Sequence, residues 1–219
     1  MSGSTLARKP VILVEGDGDL KAVPFLIRRL AEASGFYDLT PCSNPIKCGE
    51  IPKLRKEGEL ERYVQYACTR RESDSVILVL DCDDDCPVTT SAEFSARANP
   101  IAQRFSKKVG IAFIQKEFET LFLYSLRELS VNYSEHGWLL KDSDTATDWT
   151  GVRGAKGELN RRMKNYTYKE TRDQVKFVSA IDIENVVSSC RSAKHLRRLI
   201  NWMYSDDDGL LVYPGSSLV

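Results

Sequence analysis

The sequence lacks an excess of charge of either sign, since its 219 residues carry 31 Lys and Arg side chains against 31 Asp and Glu side chains. A neutral chain exerts no long-range attraction on a polyanion, so any nucleic-acid site must be a local patch. The chain also lacks a long apolar run. The longest runs, such as residues 11–14 and 76–80, fall far short of the ~20 residues that a membrane helix needs. We therefore expect no membrane span.

The cysteine pattern of a zinc site is missing as well, because none of the six cysteines lies in a C-x-x-C pair. The first residues contain no apolar stretch of the kind found in a secretory signal peptide. We therefore expect a cytoplasmic protein with free thiols. Hydrophobic residues make up 42% of the chain and charged residues 28%, which is globular composition and excludes wholesale disorder.

Three short apolar runs rich in β-branched residues stand out at residues 11–14, 76–80 and 111–114. Such runs are typical of strands that are buried on both faces of a parallel sheet. Residues 36–42 could form a further strand, although Pro41 favours an edge position. Segments with helical spacing alternate with these runs, which predicts an α/β fold with a Rossmann-like, mainly parallel sheet flanked by helices.

The strand pattern ends near the middle of the chain, where a polar stretch rich in Gly and Thr begins. Helical spacing returns after it and continues towards the C-terminus. We therefore predict an α/β core over residues 1–130 and a loop with a helical C-terminal extension over residues 131–219. The extension is expected to pack on the core as part of one compact unit.

Carboxylates follow each of the three predicted strands. Glu15 follows the first strand, Asp81 and Asp83 follow the second, and Glu117 and Glu119 follow the third. Because parallel strands end at one edge of a sheet, these groups should converge on a single crevice, where they would repel one another. A divalent cation relieves that repulsion, and all-oxygen ligands favour Mg²⁺ or Mn²⁺ over zinc. Phosphoryl chemistry is the reaction class that this arrangement favours.

A local basic stretch occupies residues 153–172. Its aromatic and cationic residues could hold a phosphate backbone, or the stretch could be only a solvated helix face. Lys156, between Gly154 and Gly157, is the best candidate for contact with the scissile phosphate. The predicted nucleic-acid contacts are Arg153, Lys156, Arg161, Arg162 and Lys164.

The ends of two predicted strands resemble the Toprim domain of primases, topoisomerases and overcoming-lysogenization-defect nucleases. That family has a strand ending in Glu-Gly and a later strand ending in D-x-D, which here are Val14-Glu15-Gly16 and Leu80-Asp81-Cys82-Asp83. Residues 116–120 and 154–157, with the helical tail, are similar to the Toprim-like family catalogued as domain of unknown function 4276. This second resemblance covers nearly the whole chain.

The resemblance implies a metal-dependent nuclease that acts on DNA in preference to RNA. It also implies a separate ATPase partner of the ABC or SMC type, in phage-defence or mobile-element systems. On this basis Asp81 and Asp83 would bind the metal, and Glu15 would bind it or accept a proton from water. Glu117 or Glu119 would help to hold a second ion, and Lys156 would stabilise the leaving group.

Two alternatives stay open at this point. The chain could be a non-catalytic Toprim-like subunit that binds or regulates a partner ATPase. Less favoured is a haloacid-dehalogenase-type phosphatase, in which Asp81 would be the nucleophile and Asp83 the general acid. That motif usually continues to Gly-Thr, whereas here it continues to Asp84-Asp85.

Overall fold

The computed structural model describes residues 8–204 and 211–214. The strands within these ranges are β1 (Pro10–Val14), β2 (Ile46–Lys47), β3 (Ser75–Asp81), β4 (Lys108–Ile114) and β5 (Val212–Tyr213). They form one parallel sheet in the order β2-β1-β3-β4-β5. This is a Rossmann-like α/β fold, as the alternation of strands and helices predicted.

Helices connect the strands and make up most of the C-terminal region. They are α1 (Asp19–Glu32), α2 (Ile51–Leu54), α3 (Glu59–Thr69), α4 (Pro87–Phe105), α5 (Thr120–Leu123), α6 (Leu126–Asn132), α7 (Ala155–Arg161), α8 (Glu170–Ala180), α9 (Ile183–Ser189) and α10 (Arg191–Tyr204). Two short 3₁₀ helices cover Ser134–His136 and Asp142–Thr145. None of these helices is long and apolar enough to cross a membrane.

The three central strands are buried on both faces because their side chains alternate between two hydrophobic cores. Ile12 and Val14 belong to the core that also contains α1 and the C-terminal helices. Val11 and Leu13 belong to the core on the opposite face, with α3 and α4. Apolar side chains at every position satisfy both layers at once, which explains the continuous apolar runs in the sequence. The prediction of these three strands is confirmed.

The C-terminal helices pack on one face of the sheet. Gly110 of β4 has no side chain, and Leu199 of α10 occupies the space where one would lie. The guanidinium of Arg29 in α1 donates to the carbonyl oxygens of Val178 and Ile181, at 2.5 and 2.9 Å, and so ties α1 to the end of α8. Both contacts hold helices from beyond residue 131 against the core.

The strand predicted at residues 36–42 is wrong. This segment forms only an isolated bridge between Leu39 and Arg8, and the edge strand β2 comes later in the chain. The Cys42 N–H still donates to the Pro10 carbonyl at 2.9 Å, but the chain then bends away before Ile46 pairs with Leu13. Pro41 fits between these contacts, because the Thr40 and Cys42 N–H groups on either side of it donate to the Arg8 and Pro10 carbonyls.

The contact between α10 and β4 gives a stability test. We expect Gly110→Ala to lower the free energy of unfolding by about 1–3 kcal/mol, since the added Cβ would lie 2.7 Å from Leu199 Cδ2. Leu199→Ala should cost about 2–5 kcal/mol by leaving a cavity. The double variant should cost less than the sum, because Leu199→Ala makes room for the new methyl group. Urea unfolding measures all three.

The matched control for this test is Gly151→Ala, where an added Cβ meets nothing within 4 Å. Its free energy of unfolding should stay within about 0.5 kcal/mol of the wild-type value. Strictly additive costs in the double variant would contradict the packing of Leu199 over Gly110.

Candidate functional site

Two of the predicted site residues adjoin at the carboxyl edge of the sheet. Glu15 directly follows β1, and Asp81 is the last residue of β3, the strand that pairs with β1. The Asp81 N–H donates to Glu15 Oε2 at 3.3 Å. The strand order reverses between β1 and β3, and in open α/β sheets this reversal opens the crevice where ligands bind. The structure therefore brings Glu15 and Asp81 together at that crevice.

The segment after β4 approaches Asp81 through its backbone. The Phe118 N–H donates to Asp81 Oδ2 at 3.1 Å, which brings Glu117 and Glu119 to the same edge. Glu119 is buried, and its carboxylate accepts a hydrogen bond of 2.8 Å from the hydroxyl of Tyr168. Burial raises the pKa of Asp81 the most, followed by the charges of Asp19 and Glu15. Of the two glutamates after β4, Glu119 is the one that adds to this effect.

Glu117 has a different role in the fold. Its carboxylate accepts hydrogen bonds from the backbone N–H groups of Gly154 and Lys156, at 2.8 and 3.0 Å. These are orphan donors at the start of α7, which a carboxylate satisfies well. The Lys156 ammonium pairs with Glu170 at 2.6 Å. The element around Lys156 is thus anchored beside the acidic residues by the same segment that follows β4.

Asp83 follows Asp81 at a turn of the backbone. Asp83 and Lys116 both have a left-handed backbone, with φ of 41° and 69°, and the Asp83 N–H donates to the Lys116 carbonyl at 3.2 Å. Such a conformation is uncommon in residues other than glycine. The pKa of Asp83 is raised by burial and then by Glu117, whereas Asp84 is exposed and pairs with Lys116. Both carboxylates of the D-x-D motif interact with Glu15, while their other charged neighbours differ.

Asp19 is a further member of the acidic edge that the sequence pattern did not identify, because an Asp at the start of a helix looks like a simple cap. It is the first residue of α1, and it accepts hydrogen bonds from the Gly16 N–H at 2.9 Å and the Gln174 amide at 3.0 Å. Among neighbouring charges, it raises the pKa of both Glu15 and Asp81 the most. The one signal in the sequence was that Asp19 lies only four residues after Glu15.

The pKa values show that this edge is short of positive charge. Burial, followed by repulsion from Asp19, raises the pKa of Glu15 to about 7. Burial also raises the pKa of Glu119 to about 7 and that of Asp81 well above its ordinary value. In the described part of the chain, no Lys or Arg forms an ion pair with Glu15, Asp19, Asp81 or Glu119. None of these four carboxylates is therefore compensated by an ion pair from the described residues, although Glu119, after Glu170, also raises the pKa of the nearby Lys156.

The donors at this edge fit a hard divalent cation, since all of them are carboxylate oxygens. However, among the residues that the structure describes, no group of three or more His, Cys, Asp or Glu side chains is arranged to hold a metal ion. Instead, backbone N–H groups donate hydrogen bonds to the carboxylate oxygens of Glu15 and Asp81. The donor chemistry suits the ion, and the side chains would need to rearrange to enclose it.

The predicted basic stretch is largely neutralised within the fold. Arg153 pairs with Asp84 at 2.8 Å, and Arg161 pairs with Glu158 at 2.7 Å. Lys164 is exposed, as a nucleic-acid contact requires. Most of the positive charge of this stretch already has a partner.

Arg162 must be removed from the predicted nucleic-acid contacts. Its side chain is only 4% exposed, and it pairs with Asp144 at 2.9 Å and with Glu158 at 2.7 Å. It also donates to the Leu139 carbonyl at 3.2 Å. A buried guanidinium with these partners is out of reach of a nucleic acid, and removing one partner would leave a buried charge unpaired.

Comparison with known proteins gives one match. A family model described as Domain of unknown function (DUF4276) matches residues 14–203. No curated protein and no solved structure matches the chain. The matched range includes all of the acidic residues discussed above.

The raised pKa of Glu15 predicts a pH dependence of stability. Because this pKa rises from 4.5 to about 7 on folding, the folded state binds the proton more tightly than the unfolded state. The associated stability is complete below pH ~4.5 and is lost as the pH rises through 7. Glu15→Gln abolishes this loss, so the variant should gain roughly 1–2 kcal/mol over wild type between pH 5 and pH 8, reduced for partial exposure. Urea unfolding at several pH values measures this gain.

Glu72→Gln is the control, because Glu72 is exposed and lies before β3, away from the acidic edge. Its free energy of unfolding relative to wild type should not change between pH 6 and pH 8. A Glu15→Gln profile parallel to that of wild type would show that Glu15 titrates normally.

Proposed function

The chain belongs to the family described as Domain of unknown function (DUF4276), and we propose that it is a divalent-metal-dependent nuclease. The observation that carries this proposal is the set of uncompensated carboxylates at the ends of β1, β3 and β4. Keeping these groups together costs free energy, and such a conflict is expected where a site serves a ligand. A doubly charged cation is the ligand that removes the conflict.

In this proposal Asp81 holds a Mg²⁺ or Mn²⁺ ion, and Asp83 and Glu119 approach it after side-chain rearrangement. Glu15 either joins them as a ligand or accepts a proton from water. Glu117 stays at the start of α7 and keeps that element in place. A divalent ion at this edge supplies positive charge that offsets the charge of a phosphodiester and acidifies a nearby water.

The chain's own residues would move protons and position the phosphate. If Glu15 is not a metal ligand, its pKa of about 7 suits it to accept a proton from water near neutral pH. Lys156 is half-exposed and paired only at the surface with Glu170, so a phosphate can compete for its ammonium group. These two residues are the proposed proton acceptor and phosphate contact.

The resemblance to Toprim nucleases supports the substrate class. The two short motifs that carry this resemblance contain Glu15 and Asp81, the residues joined by a hydrogen bond at the sheet edge. The resemblance also supports DNA over RNA as the substrate and a separate ABC- or SMC-type ATPase as a partner. Both remain proposals that rest on the motifs alone.

A second candidate is a non-catalytic subunit that regulates a partner ATPase. It is favoured by one specific observation: among the described residues, no three potential ligands are gathered around a metal position. No comparable observation supports the phosphatase alternative.

Cleavage of plasmid DNA, linear DNA and RNA with added Mg²⁺ or Mn²⁺ tests the proposal. We expect Glu15→Gln and Asp81→Asn each to lower the cleavage rate at least about 100-fold. Both variants remove a charge while leaving an amide oxygen that can still accept the Asp81 or Phe118 N–H. Glu72→Gln should cleave like wild type. Equal cleavage by all four proteins would assign the activity to a contaminant.

Metal binding is tested separately from cleavage by thermal unfolding at pH 8. A tenfold excess of Mg²⁺ or Mn²⁺ over its Kd should raise the wild-type Tm by roughly 3–6 °C. Asp81→Asn should lose most of this shift, and NaCl of equal ionic strength should not reproduce it. A shift without cleavage would favour the regulatory subunit, and a wild-type protein without any shift would contradict a metal site.

A further inference from the structure

A groove of about 520 Å³ lies beside the acidic edge, between the first turns of α4 and α10. Its apolar wall includes Val88 of α4 and Phe113 of β4. The floor contains Gln115, whose N–H donates to the hydroxyl of Ser192 at 2.8 Å and so fixes the start of α10 to the end of β4. This volume is in the range of pockets that accept a ligand the size of a nucleotide.

The opposite wall is cationic. Arg191, Lys194 and Arg198 line the groove, and their spacing of three and four residues places them on one face of α10. All three are exposed, and none forms an ion pair with an Asp or Glu of the described chain. Their neighbour Arg197 differs, because it pairs with Glu184 at 2.9 Å.

One carboxylate lies within electrostatic reach of this wall. The pKa of Asp148 is lowered to about 2, chiefly by hydrogen bonds from Tyr124 and Thr150 and only last by Arg191. Asp148 therefore has its own hydrogen-bond partners and leaves the Arg191 guanidinium available. The groove retains net positive charge in a chain whose total charge is zero.

Two short stretches of chain connect the groove to the acidic edge. Strand β3 ends at Asp81, and six residues later α4 begins at Pro87 in the groove. Strand β4 leads through Gln115 in the groove to Glu117 at the acidic edge. The groove therefore adjoins the segments that carry Asp81 and Glu117.

We propose that this groove binds a single-stranded segment of the nucleic-acid substrate. Arg191, Lys194 and Arg198 contact its phosphates, and one base packs on Val88, the exposed side chain of the apolar wall. Positive charge here offsets the repulsion that a phosphate backbone meets from the carboxylates next to it. This inference rests on the proposed nuclease function and names the path of its substrate.

Binding of a fluorescent 12-nucleotide single strand in EDTA, followed by anisotropy, tests the path without any cleavage. The triple variant Arg191→Gln, Lys194→Gln, Arg198→Gln should bind at least about tenfold more weakly at low salt. The slope of log affinity against log salt should fall by about two, from ~0.7 for each lost phosphate contact. For each single variant, the slope of log affinity against log salt should fall by about 0.7. Its Tm should equal that of wild type, which shows that the weaker binding comes from a lost contact and not from misfolding.

The matched control neutralises three exposed cations elsewhere: Arg71→Gln, Arg104→Gln, Lys176→Gln. It should bind the strand like wild type. The proposal is overturned if the groove variant binds like wild type, or if wild type binds no strand. It is equally overturned if thymidine monophosphate or polyglutamate competes as well as the strand, which would indicate a nucleotide pocket or a surface for acidic proteins.

Because EDTA removes the metal, the outcome does not depend on catalysis. A protein that fails the cleavage test can still bind the strand through the groove. A cleaving protein whose groove variant binds normally would retain its proposed function and lose only this substrate path.

Discussion

The gathering of buried and partly buried carboxylates at the ends of neighbouring parallel strands is the constraint on which the candidate site depends. Glu15 and Asp81 are joined by a backbone hydrogen bond, and Asp19 and Glu119 add further charge beside them. Protein N–H groups stabilise the individual carboxylates, yet burial and repulsion still raise their pKa values. This arrangement lowers the free energy of unfolding near neutral pH, where the carboxylates ionise. A bound cation would restore that free energy.

The central sheet could be predicted from the sequence because β1, β3 and β4 must satisfy two cores at once. That requirement leaves continuous apolar runs, which few other structures need. The edge strands have no such continuous apolar run. β2 and β5 contain two residues each, and their pairing depends on where the neighbouring strands end rather than on their own pattern. The strand order likewise follows from long-range packing that spacing does not encode.

The candidate site was predictable to the extent that strand ends determine it. Glu15 and Asp81 follow directly from two strand ends, whereas the role of Glu119 depends on Tyr168, a distant residue that contacts it only in the folded chain. For Arg162, the sequence pattern led to a wrong prediction. Its place in a basic run suggested an exposed contact, but Arg162 is buried, where it pairs with the distant Asp144 as well as with Glu158 one helical turn away. Charge patterns along a sequence do not reveal which charges fold into pairs.

The end of β4 determines where the basic groove lies. Within the described chain, β5 pairs with β4 at Val109 and Gly110. Phe113 and Gln115 lie beyond this pairing and line the groove between α4 and α10. The same segment continues to Glu117 at the acidic edge. The cationic face of α10 therefore stands beside the chain that carries these carboxylates, and its charge opposes the repulsion that they exert on a phosphate.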